Sequence, residues 1–325
     1  MTAAICTRNR PDKLERALVS LQVQKAIKDA FEIIVVDNAP ADDAVKKLVQ
    51  ESFLKVRYIC EPRPGLNIAR NRALREARGG IVAYLDDDAV ADNGWTAAYN
   101  KVFEKYHDVA LCSGRVEALS IDTPAQRLFE ANGGFSRGSH PVHLPRDGQR
   151  RLHGRKAPLI AWAVSVGNGC NFAVRKDVVL AIGGFDEFLD RGPDLPGGGD
   201  LDMFWRILMA GHSLRYEPRA LVHHEHRTTM ADVSSQLAGH QRALIVWLMK
   251  CLIHARGKTR AVIFLFLLWR LFKPGVRLVR RGLGRDPLTP RILMRLWGHC
   301  WLGLLEFPKT KGLMVRQRNL DRLRS

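Results

Sequence analysis

The sequence has no CxxC pair, and Cys6, Cys60, Cys112, Cys170, Cys251 and Cys300 lie scattered through 325 residues. That spacing excludes a zinc ribbon and offers no secreted disulfide framework. Reduced thiols in a cytosolic setting are the expectation. No GxGxxG follows the first apolar run, which disfavours a dinucleotide enzyme, and no GxxxxGK[ST] is present, which removes the P-loop. Repeats of solenoid length are missing. The chain opens on strand-like Thr2–Cys6 and shows no signal peptide. Acidic residues are scarce at the far end: residues 240–325 hold 19 Lys+Arg and only three Asp+Glu. The net charge of +18 therefore sits almost wholly there, and the preceding residues are nearly neutral. An appendage of one sign on a neutral body points to an anionic surface met by the tail alone.

What is present in the neutral part is alternation. Thr2–Thr7, Phe31–Asn38, Val56–Cys60 and Ile81–Leu85 are short apolar, partly β-branched runs, read as buried strands. Between them, helices are expected from Pro11, where Leu14, Ala17, Leu18 and Leu21 repeat at helical spacing, over Ala44–Phe53 and over Asn67–Arg78. A helix Trp95–Tyr106 and a strand Val109–Val116 follow. This pattern predicts a doubly wound α/β sheet. From Leu119 to Pro158 the pattern weakens among glycines and prolines, and the stretch reads as a long mobile excursion, an acceptor-facing lid. A strand entered through Gly167–Gly169 and a short helix Asp177–Ile182 come next.

Two of the strands run into acids. Val35-Val36 ends in Asp37, and Ile81–Leu85 ends in Asp86-Asp87-Asp88. Strand ends of an open α/β sheet are where ligands bind. Three adjacent carboxylates repel one another, and a hard divalent cation such as Mg²⁺ or Mn²⁺ relieves that repulsion. The plain alternative is a solvated acidic turn. The loop Thr7-Arg8-Asn9 belongs to the same edge, so Asp and Arg together read as a nucleotide-binding edge. Arg70 is either part of it or a solvated helix charge.

A second acidic cluster, Gly197-Gly198-Gly199-Asp200-Leu201-Asp202, opens a helix running to about Ala210. Glycines allow a ligand to approach the backbone closely. Asp200 is either an N-cap or a general base over the strand-edge site. Asp202, one residue inside the first turn, complements the helix dipole. Downstream, Val222-His223-His224-Glu225-His226 alternates so that His224 and His226 share a face, and either imidazole could complete a metal site.

Together these motifs resemble the inverting nucleotide-sugar glycosyltransferases of family 2, over roughly residues 1–230. The parts are Cys6–Pro11, Val35–Asn38, Pro64–Asn71, Leu85–Asp88, Gly183–Glu187 and Gly199–Asp202 with Arg206. The resemblance implies a GT-A fold, Rossmann-like with a doubly wound mixed sheet. A nucleotide-sugar half would cover about 1–118 and an acceptor half about 119–230. It implies that Thr7, Arg8 and Asp37 hold base and ribose and that Arg70 approaches the sugar diphosphate. Asp86 to Asp88 would be the DxD element, with Asp86 and Asp87 near the nucleotide and Asp88, Asp86 and His224, or alternatively His226, on Mn²⁺ or Mg²⁺. Asp200 matches the base position, with Gly198, Gly199 and Asp202 on the acceptor side. Gly199 stands where the family often has Glu, so one carboxylate is missing there.

Residues 231–325 read as a basic, apolar helical region that associates with a membrane or with a second subunit. Ala243–Ile253, Ala261–Phe272 and Leu296–Leu305 are apolar helical runs, the last with Trp297 and Trp301. The uncharged stretch Ala261–Trp269, bracketed by Arg260 and Arg270, falls short of the ~20 residues of a spanning helix. Basic residues with tryptophans suit helices lying in a membrane interface. The expectation is a peripheral protein on the cytoplasmic face of the inner membrane, passing sugar to a carbohydrate or lipid-linked acceptor in cell-surface polysaccharide or glycolipid synthesis. Two other readings compete: a nucleotidyltransferase on a similar sheet, and a nucleic-acid-binding protein using the tail. The tail's aromatics lie within apolar runs and make no stacking platform, so no nucleic-acid partner is expected.

Overall fold

Four apolar runs become one half of a single sheet. β1 (Thr2–Thr7), β2 (Glu32–Asn38), β3 (Val56–Glu61) and β4 (Ile81–Asp86) are parallel neighbours in the order β3-β2-β1-β4. The computed structural model describes residues 1–24, 31–144, 151–152, 155–190 and 197–322, with only the backbone described at 151–152, 155–156 and 309–322. Ala3, Ala4, Ile5, Val35 and Val36 are fully buried, as strands covered on both faces must be. The covering helices are α1 (Pro11–Gln22), α2 (Ala44–Ser52) and α3 (Leu66–Glu76). Pro11 occupies the first turn of α1, where its missing N–H costs nothing.

The second half mixes directions. Its elements are β5 (Ala89–Ala91), α4 (Trp95–Lys105), β6 (Val109–Ala118), α5 (Pro124–Ala131), β7 (Val142–Leu144), the small pair β8 (Arg151–Leu152) and β9 (Arg155–Lys156), and α6 (Leu159–Ser165). After them come β10 (Asn171–Arg175), α7 (Lys176–Ala181), α8 (Gly199–Met209) and β11 (Ser213–His224). β10 runs antiparallel between β4 and β6, β11 runs parallel to β6, and the full order is β3-β2-β1-β4-β10-β6-β11-β5 with β7 on β11. Asn171 bolts this half together. Its amide donates to the carbonyls of Arg115 and Ala220, and its oxygen accepts from Trp95 Nε1 and the Tyr99 hydroxyl. All its polar capacity is used inside the core, where an unmade bond would cost ~1–3 kcal/mol.

The described residues between 119 and 158 include regular elements that the glycines do not suggest. α5 starts with a capping box: Gln126 N–H donates to Thr123 Oγ1, and Thr123 N–H donates to Gln126 Oε1. β7 then pairs with β11. Residues 145–150 and 153–154 of the expected lid lie outside the described residues.

The chain divides into two compact units. The sheet unit comprises 1–121, 133–187 and 199–226; the helical unit comprises 122–132, 188–198 and 227–325. The helical unit holds α9 (Met230–His254), α10 (Gly257–Gly282) and α11 (Pro290–Arg322). α9 begins next to the expected boundary at 230, but this unit also claims α5 and 188–198. Leu244 to Leu248 are buried in succession, so α9 is its centre, packed by α5, α10 and α11. Among the described residues no helix is long and apolar enough to cross a membrane.

Candidate active site

Strand register gathers the first site residues. Cys6 is level with Asp86 and Thr7 with Asp37, so the carboxyl ends of β1, β2 and β4 form one edge. Asp37 is fully buried. The Tyr58 hydroxyl donates to its Oδ2 at 2.9 Å, while its Oδ1 is buried with no partner among the described residues. Burial pushes its carboxyl up and the Tyr58 hydrogen bond offsets this only in part. A buried, unused acceptor at a ligand edge is suited to a hydroxyl or N–H of a nucleoside. Arg8 is exposed.

β4 continues into the acidic cluster. Thr7 Oγ1 donates to Asp87 at 2.7 Å, and Arg10 lies 3.3 Å from Asp87 and 3.5 Å from Asp88. His224, the last residue of β11, brings Nε2 to 3.1 Å from Asp88 Oδ1. His226 stands behind it, with the two Nδ1 atoms 3.3 Å apart and Phe135 edge-on to both rings. Asp86, Cys170 and His224 form a group whose ligand atoms all lie within 4.8 Å of one another. Burial raises the Asp86 carboxyl, and Asp88 and Asp87 raise it further against the pull of Arg70. Burial also acts on Asp88, but the hydrogen bond and charge of His224, with Arg10 and Lys13, hold that carboxyl down. Asp86 and His224, with Asp88 on the same imidazole, offer the carboxylate and imidazole donors that a divalent ion takes, and the Cys170 thiol, pushed well up by burial, stays protonated beside them.

Cys170 was not foreseen. It enters because β10 pairs antiparallel with β4, Asn171 opposite Leu85, and Asp86 N–H donates to the Cys170 carbonyl. Arg70, buried on α3, donates to the carbonyl of the adjacent Gly169 at 2.8 Å and lies over the rings of Phe172 and Phe185. Asp200 approaches that segment from α8: a Cβ on Gly169 would lie 3.0 Å from Asp200 Oδ2. Its Oδ1 accepts the N–H of Leu201. Arg137 donates to Asn168 at 2.9 Å, within the field of Asp200. Asp86, Cys170, His224 and Asp200 are thus arrayed around one backbone segment, 168–170.

The acceptor-side candidates Gly198, Gly199 and Asp202 lie just before and in the first turn of α8. Asp202 is 1 % exposed and turned inward, accepting from Arg206 Nε at 2.7 Å. Arg206 in turn donates to the carbonyls of Ile182 and Gly184, so Asp202 holds a turn. Gly198 belongs to the helical unit, beside Ala243 and Trp247 of α9, at a positive φ of 91° that a side chain would strain. Gly199 is buried as the first residue of α8.

The sequence profile of the family described as Glycosyl transferase family 2 matches residues 2–183. The chain belongs to this family. This family 2 chain is 30 % identical over 236 residues to the pre-mycofactocin glycosyltransferase of Mycobacterium tuberculosis, covering 71 % of this chain and 44 % of that protein. It therefore spans less than half the length of that relative. It is 26 % identical to the succinoglycan biosynthesis protein ExoM of Rhizobium meliloti, over 70 % of this chain and 68 % of ExoM. Among solved structures, the mannosyltransferase PcManGT from Pyrobaculum calidifontis, in complex with GDP-Man and Mn²⁺, superposes with a TM-score of 0.59 at 16 % identity. It covers 94 % of this chain and 86 % of its own. The mixed sheet is that of the GT-A glycosyltransferases.

Proposed function

We propose that this chain is an inverting, metal-dependent glycosyltransferase. It moves a sugar from a nucleotide diphosphate to a hydroxyl of a carbohydrate or lipid-linked acceptor, in cell-surface polysaccharide or glycolipid synthesis. The observation that carries the reading is the array around 168–170: the acidic cluster with His224, and Asp200 against Gly169. In this reading residues 1–118 hold the donor and 119–230 face the acceptor. Asp37 receives a nucleoside hydroxyl on its free oxygen, Thr7 and Arg8 flank it, and Arg70 fixes 169–170 beside the diphosphate. Asp86, Asp88 and His224 would hold Mn²⁺ or Mg²⁺, which supplies charge neutralisation for the leaving diphosphate when bound. Asp87, tied by Thr7 and Arg10, steadies the cluster. Asp200 takes the proton from the acceptor hydroxyl as it attacks, and a single displacement inverts the anomeric carbon. Support comes from PcManGT, whose structure holds GDP-Man and Mn²⁺, and from ExoM, named for succinoglycan biosynthesis.

Asp200→Asn tests the base. The variant is expected to bind the nucleotide sugar as the parent does, by calorimetry, while transfer falls about 10²-fold or more. Near-parental turnover would remove Asp200 from the role. Nucleotide release from UDP-, GDP- and dTDP-sugars, with and without Mn²⁺, identifies the donor and checks the metal together.

A further inference from the structure

The outward face of α10 is apolar. Leu265, Trp269, Phe272, Val276, Val279 and, at the C-cap, Leu283 follow one another at alternating steps of four and three, and each is 51–68 % exposed. Those steps set them in one row, about 27 Å long at the helical rise. Ile263, Leu267, Leu271 and Pro274 are buried on the other side, in a helix that packs against α9 and α11. The helix therefore has one apolar face in the core and a second in the open. α11 widens the open face: Phe272 and Trp301 meet edge to face at 6.4 Å, and Trp301 and Leu305 are 44 % and 73 % exposed. Patches of this kind are interaction sites.

Charge decides the partner. α10 contains no acidic residue. Lys273 follows Trp269 by four residues, with Nζ 4.8 Å from the indole centre, and Arg280 follows Val276 by four, so both border the apolar row. Burial pushes the Lys273 ammonium down to about 8, as do Arg270, Arg277 and Arg280. Of the acidic side chains described in this region, Asp286 is held by Arg277 and Glu306 by Arg242. The positive excess is therefore not neutralised within the tail. A second copy of the chain would bring like charges face to face around this row, which is unfavourable. An apolar interior beneath negative head groups complements both rows, and Trp269 and Trp301 suit that boundary.

We propose that α10, with Trp301 and Leu305 of α11, is a membrane-docking face for anionic phospholipid at the cytoplasmic leaflet. The apolar row enters the head-group boundary, and Lys273 and Arg280 stay at the phosphates. No described helix is both long and apolar enough to cross a membrane, so in this proposal α10 lies in the plane. The surface draws its purpose from the proposed transfer to a membrane-borne acceptor and rests on that reading to this extent.

The test is co-sedimentation of the full chain with phosphatidylcholine vesicles, plain or with about 30 % phosphatidylglycerol. Binding is expected only to the anionic vesicles. Phe272→Glu with Val279→Glu, both at exposed positions, should weaken it about tenfold or more while leaving the melting temperature in place. Lys273→Gln with Arg280→Gln should weaken it about tenfold at low salt and flatten its loss with salt. Undiminished binding by the Glu pair, or equal binding to both vesicles, overturns the proposal. So does a solution dimer that the Glu pair dissociates, which would assign the face to a second copy. Nucleotide release from sugar nucleotides separates the two readings. Turnover without vesicle binding discards the docking face alone, and vesicle binding without turnover discards the transferase reading alone.

Discussion

Asp86 and Asp88 are two residues apart and of the same type, yet their surroundings act in opposite directions. Burial and the neighbouring carboxylates work against the charge on Asp86, whereas His224 and Arg10 favour the charge on Asp88. A carboxyl raised in the folded state favours folding only when protonated, so a charged Asp86 costs stability at about pH 8; a lowered one contributes stability there. In chelator at that pH, Asp86→Asn is expected to raise the melting temperature. Asp88→Asn should lower it, because His224 loses its partner, at a cost of ~1–3 kcal/mol. Each ~1 kcal/mol moves the transition by about 2–4 °C at this size. Both variants should lose the stabilisation that Mn²⁺ gives the parent. Thermal melts with chelator and with Mn²⁺ check this, and a destabilised Asp86→Asn would refute the opposed environments. The sequence could announce three acids at a strand end. The family resemblance divided them by role, but their opposed surroundings were not legible, because these depend on β11 delivering His224 from far along the chain.

At the scale of elements, the legible pieces were those whose periodicity is local. β1 to β4 show as apolar runs because both faces are covered, and α1 shows through Leu14, Ala17, Leu18 and Leu21. The motif Gly183-Gly184 gained a reason only in three dimensions. Both glycines have positive φ, and Asn71 of α3 closes the turn by exchanging two hydrogen bonds with the backbone of Phe185. The tail helices proved longer than their apolar runs, since α9 starts at Met230 with Thr229 capping Asp232 N–H. In the turn between α10 and α11 the Asp286 carboxylate gathers three hydrogen bonds. Arg277 donates to Asp286 at 2.6 and 2.7 Å, and Leu288 N–H donates to it at 3.1 Å. Burial raises the Asp286 carboxyl, but these bonds and the charge of Arg277 and Arg280 hold it below its usual value. A lowered value contributes stability that is complete above the unfolded pKa and is lost as pH falls through the folded one. Asp286→Asn should therefore lower the melting temperature at neutral pH and flatten its decline below about pH 4. Parallel acid limbs for parent and variant would remove Asp286 from the acid sensitivity.

On the scale of the whole molecule, the composition break near residue 240 suggested a catalytic body followed by an appendage. The two units are not divided that simply, because the helical one is assembled from three pieces of chain. α5 buries Ala125 and Phe129 and packs on α9, and Arg277 of α10 donates to Asn132 just past the end of α5. Gly197 and Gly198 lie against Ala243. Composition could not reveal this, since α5 is nearly neutral and lies among glycines, and its partners are more than a hundred residues away. The consequence concerns any attempt to isolate the catalytic body. A chain ending at Thr229 keeps every residue of the acidic cluster, His224 and Asp200, but strips α5 and residues 197–198 of the helices they pack on. Exposing buried apolar side chains loses roughly 25 cal/mol for each Å² uncovered. The truncated protein should therefore show low soluble yield or a broad melt shifted down by about 10 °C or more, by the scale of a few kcal/mol at this size. Co-expression of 230–325 as a separate chain should restore a cooperative transition. Soluble yield and calorimetry of the 1–229 chain, alone and co-expressed, decide it. A 1–229 chain that melts cooperatively at the parental temperature would mean that α5 and the 197–198 segment draw nothing from α9 and α10, and that the break at 230 is a true domain boundary.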